Sequence, residues 1–136
     1  TTPESSAVDS AAMSFDPSGS DSGKIDGLKT VFFDYDKSTL SGEAKKVIAG
    51  NVEWMKKNAN TKVQIEGHCD NRGSIEYNVA LGERRANAVK DYMASLGIAG
   101  SRLATISYGE EKPLVSSENE NAWKKNRRAN FVPSSM

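Results

Sequence analysis

The chain has 136 residues, enough for one domain, and its 18 basic and 18 acidic side chains leave no net charge. Neutrality excludes a general nucleic-acid binder, which needs a basic excess or stripe, and no apolar run approaches the roughly 20 residues of a membrane-spanning helix or forms a signal-peptide core. A single cysteine, Cys69, excludes an internal disulfide and leaves the redox compartment open.

Residues 1–24, "TTPESSAVDSAAMSFDPSGSDSGK", are mostly Ser, Ala, Asp, Pro, Thr and Gly without period. Such a stretch buries too little apolar surface to offset its ordering entropy, so residues 1–27 are expected to form a flexible tether and residues 28–136 a globular domain.

The globular pattern opens with "KTVFFDYD", rich in β-branched and aromatic residues and expected to be a strand. In "SGEAKKVIAGNVEWMKKN", Ala44, Val47, Ile48, Val52 and Met55 share one helical stripe. Ser41 is placed to cap its start, and Lys56 and Lys57 suit the negative end of the helix dipole. "TKVQIEGHCD" alternates as a strand, with Val63, Ile65, Gly67 and Cys69 on one face. A helix over roughly 74–96 follows, whose expected core face is Ile75, Val79, Gly82, Ala86, Val89, Met93 and Leu96, with Gly97 ending it. "RLATISYG" reads as a strand, "ENAWKKN" as a short helix and "RRANFV" as a last strand. The order βαβαβαβ implies a two-layer α/β sandwich, a mixed four-stranded sheet packed on helices.

The segment "GHCDNRGS" carries a histidine, a thiol, a carboxylate and a guanidinium. His68 and Cys69 are strand neighbours and point to opposite faces, so they form no nucleophilic pair. One histidine and one oppositely directed cysteine also fall short of a zinc ligand set. No metal or cofactor is expected; Cys69 is read as a small buried residue and His68 as a hydrogen-bonded residue at the strand end.

Asp70 ends that strand at a tight turn and has three readings: an Asx turn or helix cap, a plain salt bridge, or half of a charge pair for a ligand. On the following helix Asn78, Leu81, Arg85 and Tyr92 form a second stripe beside the core face, about 200° to 260° from Val79. Asp70 and Arg85 across a crevice could meet the ammonium and the carboxylate of one zwitterion.

Four stretches, "FFDYDKSTL", "IEGHCDNRGSIEYNVALGERRANAVKDYM", "ISYGEEKP" and "KKNRRANF", resemble in order and spacing the outer membrane protein A C-terminal-like family. The likeness covers about residues 29–132. It implies a non-enzymatic domain that binds peptidoglycan noncovalently through the free end of a meso-diaminopimelate side chain. Asp70 then takes the ammonium and Arg85 the carboxylate. The backbone of the segment with Phe33, Asp34 and Tyr35 lines the peptide pocket, Asn78 and Leu81 form its wall, and Arg128, with Arg127, braces the sheet and the aspartate loop. The resemblance also implies a second partner, the periplasmic β-propeller protein of the Tol system, and a place at the periplasmic face of the Gram-negative outer membrane in envelope integrity and cell division. The lipid-carrying cysteine of such proteins would precede Thr1. The alternative function is a protein-interaction module whose crevice docks mainly the Tol partner. A cell-wall hydrolase has the least support, since no nucleophile, metal or paired carboxylates are offered.

Overall fold

A computed structural model describes residues 18–134; of the tether expected over residues 1–27, residues 1–17 lie outside them. The elements are β1 (Val31–Phe32), α1 (Gly42–Lys57), β2 (Lys62–His68), α2 (Ile75–Ser95), β3 (Leu103–Gly109), α3 (Glu120–Asn126) and β4 (Arg128–Ser134), with 3₁₀ turns at Gly19–Ser22 and Gly100–Arg102. They form one sheet in the order β1-β4-β2-β3. β2 and β3 run parallel, bridged by α2, and β4 is antiparallel to both β1 and β2. This is the expected mixed four-stranded α/β sheet.

The first strand is shorter than its composition suggests. Only Val31 and Phe32 pair in register with β4, and the Phe33 N–H adds one bond to the Arg127 carbonyl at 2.9 Å. The chain then folds into a turn, Lys37 N–H to Asp34 O at 3.2 Å, with Asp36 at φ 58°. Aspartate tolerates that left-handed conformation, so "DYD" turns where its aromatic neighbours favour extension.

α1 starts where its cap predicts, with Ser41 Oγ accepting from Ala44 N–H at 3.0 Å, and it buries Ala44, Ile48, Val52 and Met55. It also buries Asn51, whose amide brackets the backbone of Lys29: Lys29 N–H donates to Oδ1 and Nδ2 donates to Lys29 O, both at 2.8 Å.

α2 departs from its expected core face over the first two turns. Gly82, Ala86, Val89 and Met93 are buried as expected, but Ile75 and Val79 are 58% and 39% exposed. Asn78, Leu81 and Arg85 are buried instead. The cause is where the sheet ends. Gly82 lies directly over Gly67, next to last in β2, so close that a Cβ on Gly67 would stand 1.7 Å from Gly82 O. Seven residues earlier the helix is about 10 Å further on, past the end of the strand and above polar turns. At its other end Gly97, φ 103°, terminates the helix as expected.

The second face of the sheet is covered as well. Residues 18–27, assigned to the tether by composition, run against β4. Asn130 Oδ1 accepts from Ser20 Oγ and Asp21 N–H, both at 2.8 Å, and Asp21 Oδ2 accepts from Arg128 Nε at 2.8 Å. Beneath this turn Glu66 and His68 are buried rather than facing water.

Candidate functional site

Three chain segments meet beyond the C-terminal end of β2: the turn after β1, the turn "CDNRG" and the overhanging first turns of α2. Between them lies a recess of about 50 Å³ whose walls include Tyr35, Asp70, Arg72, Asn78, Leu81 and Arg85.

Asp70 is 4% exposed and uses both carboxylate oxygens. Oδ1 accepts from Arg72 N–H at 3.1 Å, which is the Asx turn allowed by the sequence. Oδ2 accepts from Arg72 Nη2 at 2.8 Å, and Arg127 Nη1 stands 3.5 Å away. The salt bridge is therefore made with Arg72 and Arg127, and not with Arg85.

Arg85 was expected half-way up the helix side; it is fully buried. Its guanidinium donates to three backbone carbonyls: Nε to Lys37 O at 2.8 Å, Nη1 to His68 O and Nη2 to Asp34 O, each at 3.0 Å. Phe33 presents its ring 5.2 Å from the guanidinium carbon. Arginine has five N–H donors, so one on each terminal nitrogen is not taken by a backbone carbonyl, and the Cys69 sulfur lies within hydrogen-bonding reach of the guanidinium. Burial pushes the Arg85 pKa down, with Cys69 and Asp70 opposing; an arginine stays charged regardless. The site thus keeps a desolvated cation whose nearest partners are neutral dipoles.

The other expected residues divide. Asn78 is held in the wall by Nδ2, which donates to Arg72 O at 3.1 Å and Glu110 Oε1 at 2.7 Å, and Leu81 is buried beside it. Tyr35 borders the recess, whereas Phe33 and Asp34 border a wider groove of about 630 Å³ between β1, α1 and α3. Asp34 serves the recess through its carbonyl alone. Arg128 points to the opposite face of the sheet, where it pairs with Asp21 at 2.8 Å, so it braces the sheet and does not reach the aspartate loop. Its neighbour Arg127 is the one that reaches the aspartate loop, with Nη1 3.5 Å from Asp70 Oδ2, while its Nε donates to Phe33 O at 3.0 Å.

Cys69 is buried as expected, but at the recess wall instead of the main core. Its thiol donates to Asn78 O at 3.2 Å, and burial pushes its pKa up to about 11. A thiol so rarely ionised is no nucleophile at neutral pH. The His68 ring lies on the opposite face, its Nε2 3.1 Å from Glu66 Oε1. Among the described residues no group of three or more His, Cys, Asp or Glu is placed to hold a metal.

Sequence reasoning missed Arg72, Asp36 and Tyr77. Arg72 stacks between two rings, its guanidinium carbon 3.9 Å from the Tyr35 centroid and 4.1 Å from that of Trp123. Tyr77 donates to Asp36, tying α2 to the first turn. The "DNRG" turn contained the signal for Arg72, since an Asx turn folds the residue two places on back over its own aspartate.

No helix among the described residues is long and apolar enough to cross a membrane. The OmpA family profile matches residues 32–127. A peptidoglycan-associated lipoprotein of Haemophilus influenzae is 46% identical over 100 residues, 74% of this chain and 65% of that protein. One from Rhizobium meliloti is 44% identical over 99 residues, 73% of this chain. The chain thus spans 56% of the Rhizobium protein's length. Among solved structures, the peptidoglycan-associated lipoprotein of Burkholderia pseudomallei superposes with a TM-score of 0.74 at 32% identity, covering 77% of this chain and 89% of that one. The C-terminal domain of Helicobacter pylori MotB reaches 0.75 at 18% identity, covering 81% and 87%, a likeness of fold alone. With most of its globular part matched by the profile, the chain belongs to the OmpA family.

Proposed function

We propose that the recess binds peptidoglycan through the free end of a meso-diaminopimelate side chain, with Asp70 receiving the ammonium and Arg85 the carboxylate. The observation that carries this reading is Arg85: a fully buried guanidinium with three backbone acceptors and no carboxylate hydrogen-bond partner, in one recess with Asp70. A buried charge left so incompletely paired costs stability, and a carboxylate guest arriving with its own ammonium relieves that cost without adding net charge. The names of the relatives, peptidoglycan-associated lipoproteins, support the same ligand. As a member of this family the chain is a binding domain and no enzyme. Residues 1–17 act as the tether, and a lipid anchor in the complete protein holds the domain at the periplasmic face of the outer membrane.

Calorimetric titration with stem peptides that differ at one residue tests the two-charge clamp. Lysine ends in an ammonium alone, whereas diaminopimelate carries a carboxylate on the same carbon. Losing that charge-assisted contact costs about 2–3 kcal/mol, or roughly 30- to 150-fold in affinity. Equal affinity for the two peptides refutes the clamp.

A protein partner at the same place is a second reading with its own observation. Tyr35 and Tyr77 are large, exposed and border the recess, and aromatic exposure of this kind marks docking surfaces. The periplasmic propeller protein of the Tol system is the proposed occupant. Competition between it and soluble stem peptide separates one shared site from two.

A further inference from the structure

We infer that Arg72 is an internal stand-in for the ligand's ammonium, occupying Asp70 in the free protein and leaving it when the zwitterion enters. This rests on the reading of Asp70 and Arg85 above and adds the step by which their recess opens.

Three observations converge on Arg72. Its Nη2 makes the closest charged contact of Asp70, 2.8 Å, where an incoming ammonium would sit. Asp70 itself is nearly inaccessible at 4%, while the Arg72 side chain that covers it is 29% exposed. The free recess of about 50 Å³ has room for roughly three or four water molecules, too little for a carbon bearing both an ammonium and a carboxylate. Binding therefore requires a wall to move, and Arg72 is the wall that already plays the cationic part.

Its other contacts suit it for moving. The Arg72 Nε is buried without a hydrogen-bond partner, so the bound position is incompletely satisfied. Tyr35 and Trp123 hold the guanidinium from both sides, and rings grip a cation without fixing its in-plane position. Sliding outward between them, Arg72 gives up Asp70 and keeps a stacking surface. Asp70 is not stranded, because its Oδ1 retains the Arg72 backbone N–H and Arg127 stays beside Oδ2. Trp123 is anchored independently, its Nε1 donating to Asn71 Oδ1 at 3.0 Å.

The device sets a threshold. Every ligand that uses Asp70 must first break the same ion pair, so each loses the same increment of affinity. A zwitterion recovers it from Arg85; a bare amine recovers nothing. Free lysine side chains and polyamines are thereby kept off the carboxylate.

The test is calorimetric titration of the full 136-residue chain with a stem peptide ending in meso-diaminopimelate, using wild type, Arg72→Met and Asp70→Asn. Methionine keeps an aliphatic chain between the rings and removes the competitor. The Arg72→Met protein is expected to bind about tenfold tighter, and the gain should vanish when the terminal amine of the peptide is acetylated. Equal or weaker binding of the unmodified peptide overturns the inference, weaker binding showing that Arg72 grips the ligand instead. Undiminished binding by Asp70→Asn overturns the site and the inference together, whereas loss there without a gain in Arg72→Met sinks only the inference. A second measurement is independent of the Arg72 variant's folding. In a Trp54→Phe background, saturating peptide should change the emission of Trp123 as the guanidinium shifts, and unchanged emission overturns the displacement.

Discussion

Gly67 and Gly82 meet backbone to backbone, and this contact sets the height of α2 above the sheet. A Cβ on Gly67 would lie 1.7 Å from the Gly82 carbonyl oxygen, whereas one on Gly82 would lie 2.3 Å from Ser107 Oγ and 2.9 Å from Gly67 O. The two positions are therefore unequal.

Gly67→Ala should destabilise the fold by about 3 kcal/mol, because backbone has to move. Gly82→Ala should cost less, since the Ser107 hydroxyl can rotate away and alanine favours the helix by about 1 kcal/mol. Urea unfolding gives the comparison. The ranking fails if Gly82→Ala proves the more damaging.

At Asp70 the turn and the charge are separable. Asp70→Asn keeps an acceptor for the Arg72 N–H and should lower stability by about 1 kcal/mol while abolishing retention on purified sacculi. Asp70→Ala loses the turn bond as well and leaves Arg127 short of a partner, a cost of about 2–3 kcal/mol. Retention of the asparagine variant at the wild-type level would show that the carboxylate charge is not what the wall recognises.

The polar pair under the Gly19–Ser22 turn makes the fold acid-sensitive. Burial lowers the His68 pKa, outweighing the Glu66 hydrogen bond, with Arg128 acting in the same direction and Asp21 against it. Burial raises that of Glu66, but hydrogen bonds from His68 and Asn130 outweigh it and hold the carboxyl low. A histidine that takes its proton at about 6.5 unfolded but lower when folded contributes fully above pH 6.5 and loses that contribution as pH falls. Glu66 adds a loss of the same sign below 4.5. Melting temperature should therefore fall in two steps on acidification, and His68→Gln should flatten the upper one. A profile unchanged by that substitution between pH 7 and 5 would exclude His68 as its source.

Cys69 should react slowly with thiol reagents in the native protein and quickly in denaturant, as its raised pKa and burial require. Cys69→Ala should cost about 1 kcal/mol and leave peptide affinity within twofold. Rapid native labelling would mean that the recess opens far enough to expose the thiol.

Periodicity carried the sequence reading where one apolar surface lies under a whole element. It found α1 with its Ser41 cap, and α2 from Gly82 onward, because each has buried core beneath it there. It misjudged Ile75 and Val79, since a helical wheel does not register where a strand stops. The Asp70–Arg85 pairing was legible as a shared rim but not as geometry. Arg72, which holds Asp70, stacks on Trp123, a residue from the distant α3 that also bonds Asn71, 52 positions before it. In "NRRAN" a single step of register decides which arginine faces the aspartate and which the opposite face, and no pattern in the sequence marks the step.

The Asp21–Arg128 pair also decides where a mechanical load enters the domain. A pull arriving from the N-terminal side first meets Ser20 and Asp21, which are held to Asn130 and Arg128 on β4. β4 is hydrogen-bonded on both sides, whereas the edge strand β1 pairs over two residues only. The clasp shields β1 from being peeled off strand-end first. When it gives way, the stretch from Gly19 to Gly27 can lengthen to about 30 Å of extended chain before the load reaches Leu28 in the core and Lys29, which Asn51 holds. The domain thus carries a short length of slack behind the clasp, released only when the Asp21–Arg128 ion pair and the Ser20 and Asp21 bonds to Asn130 break together.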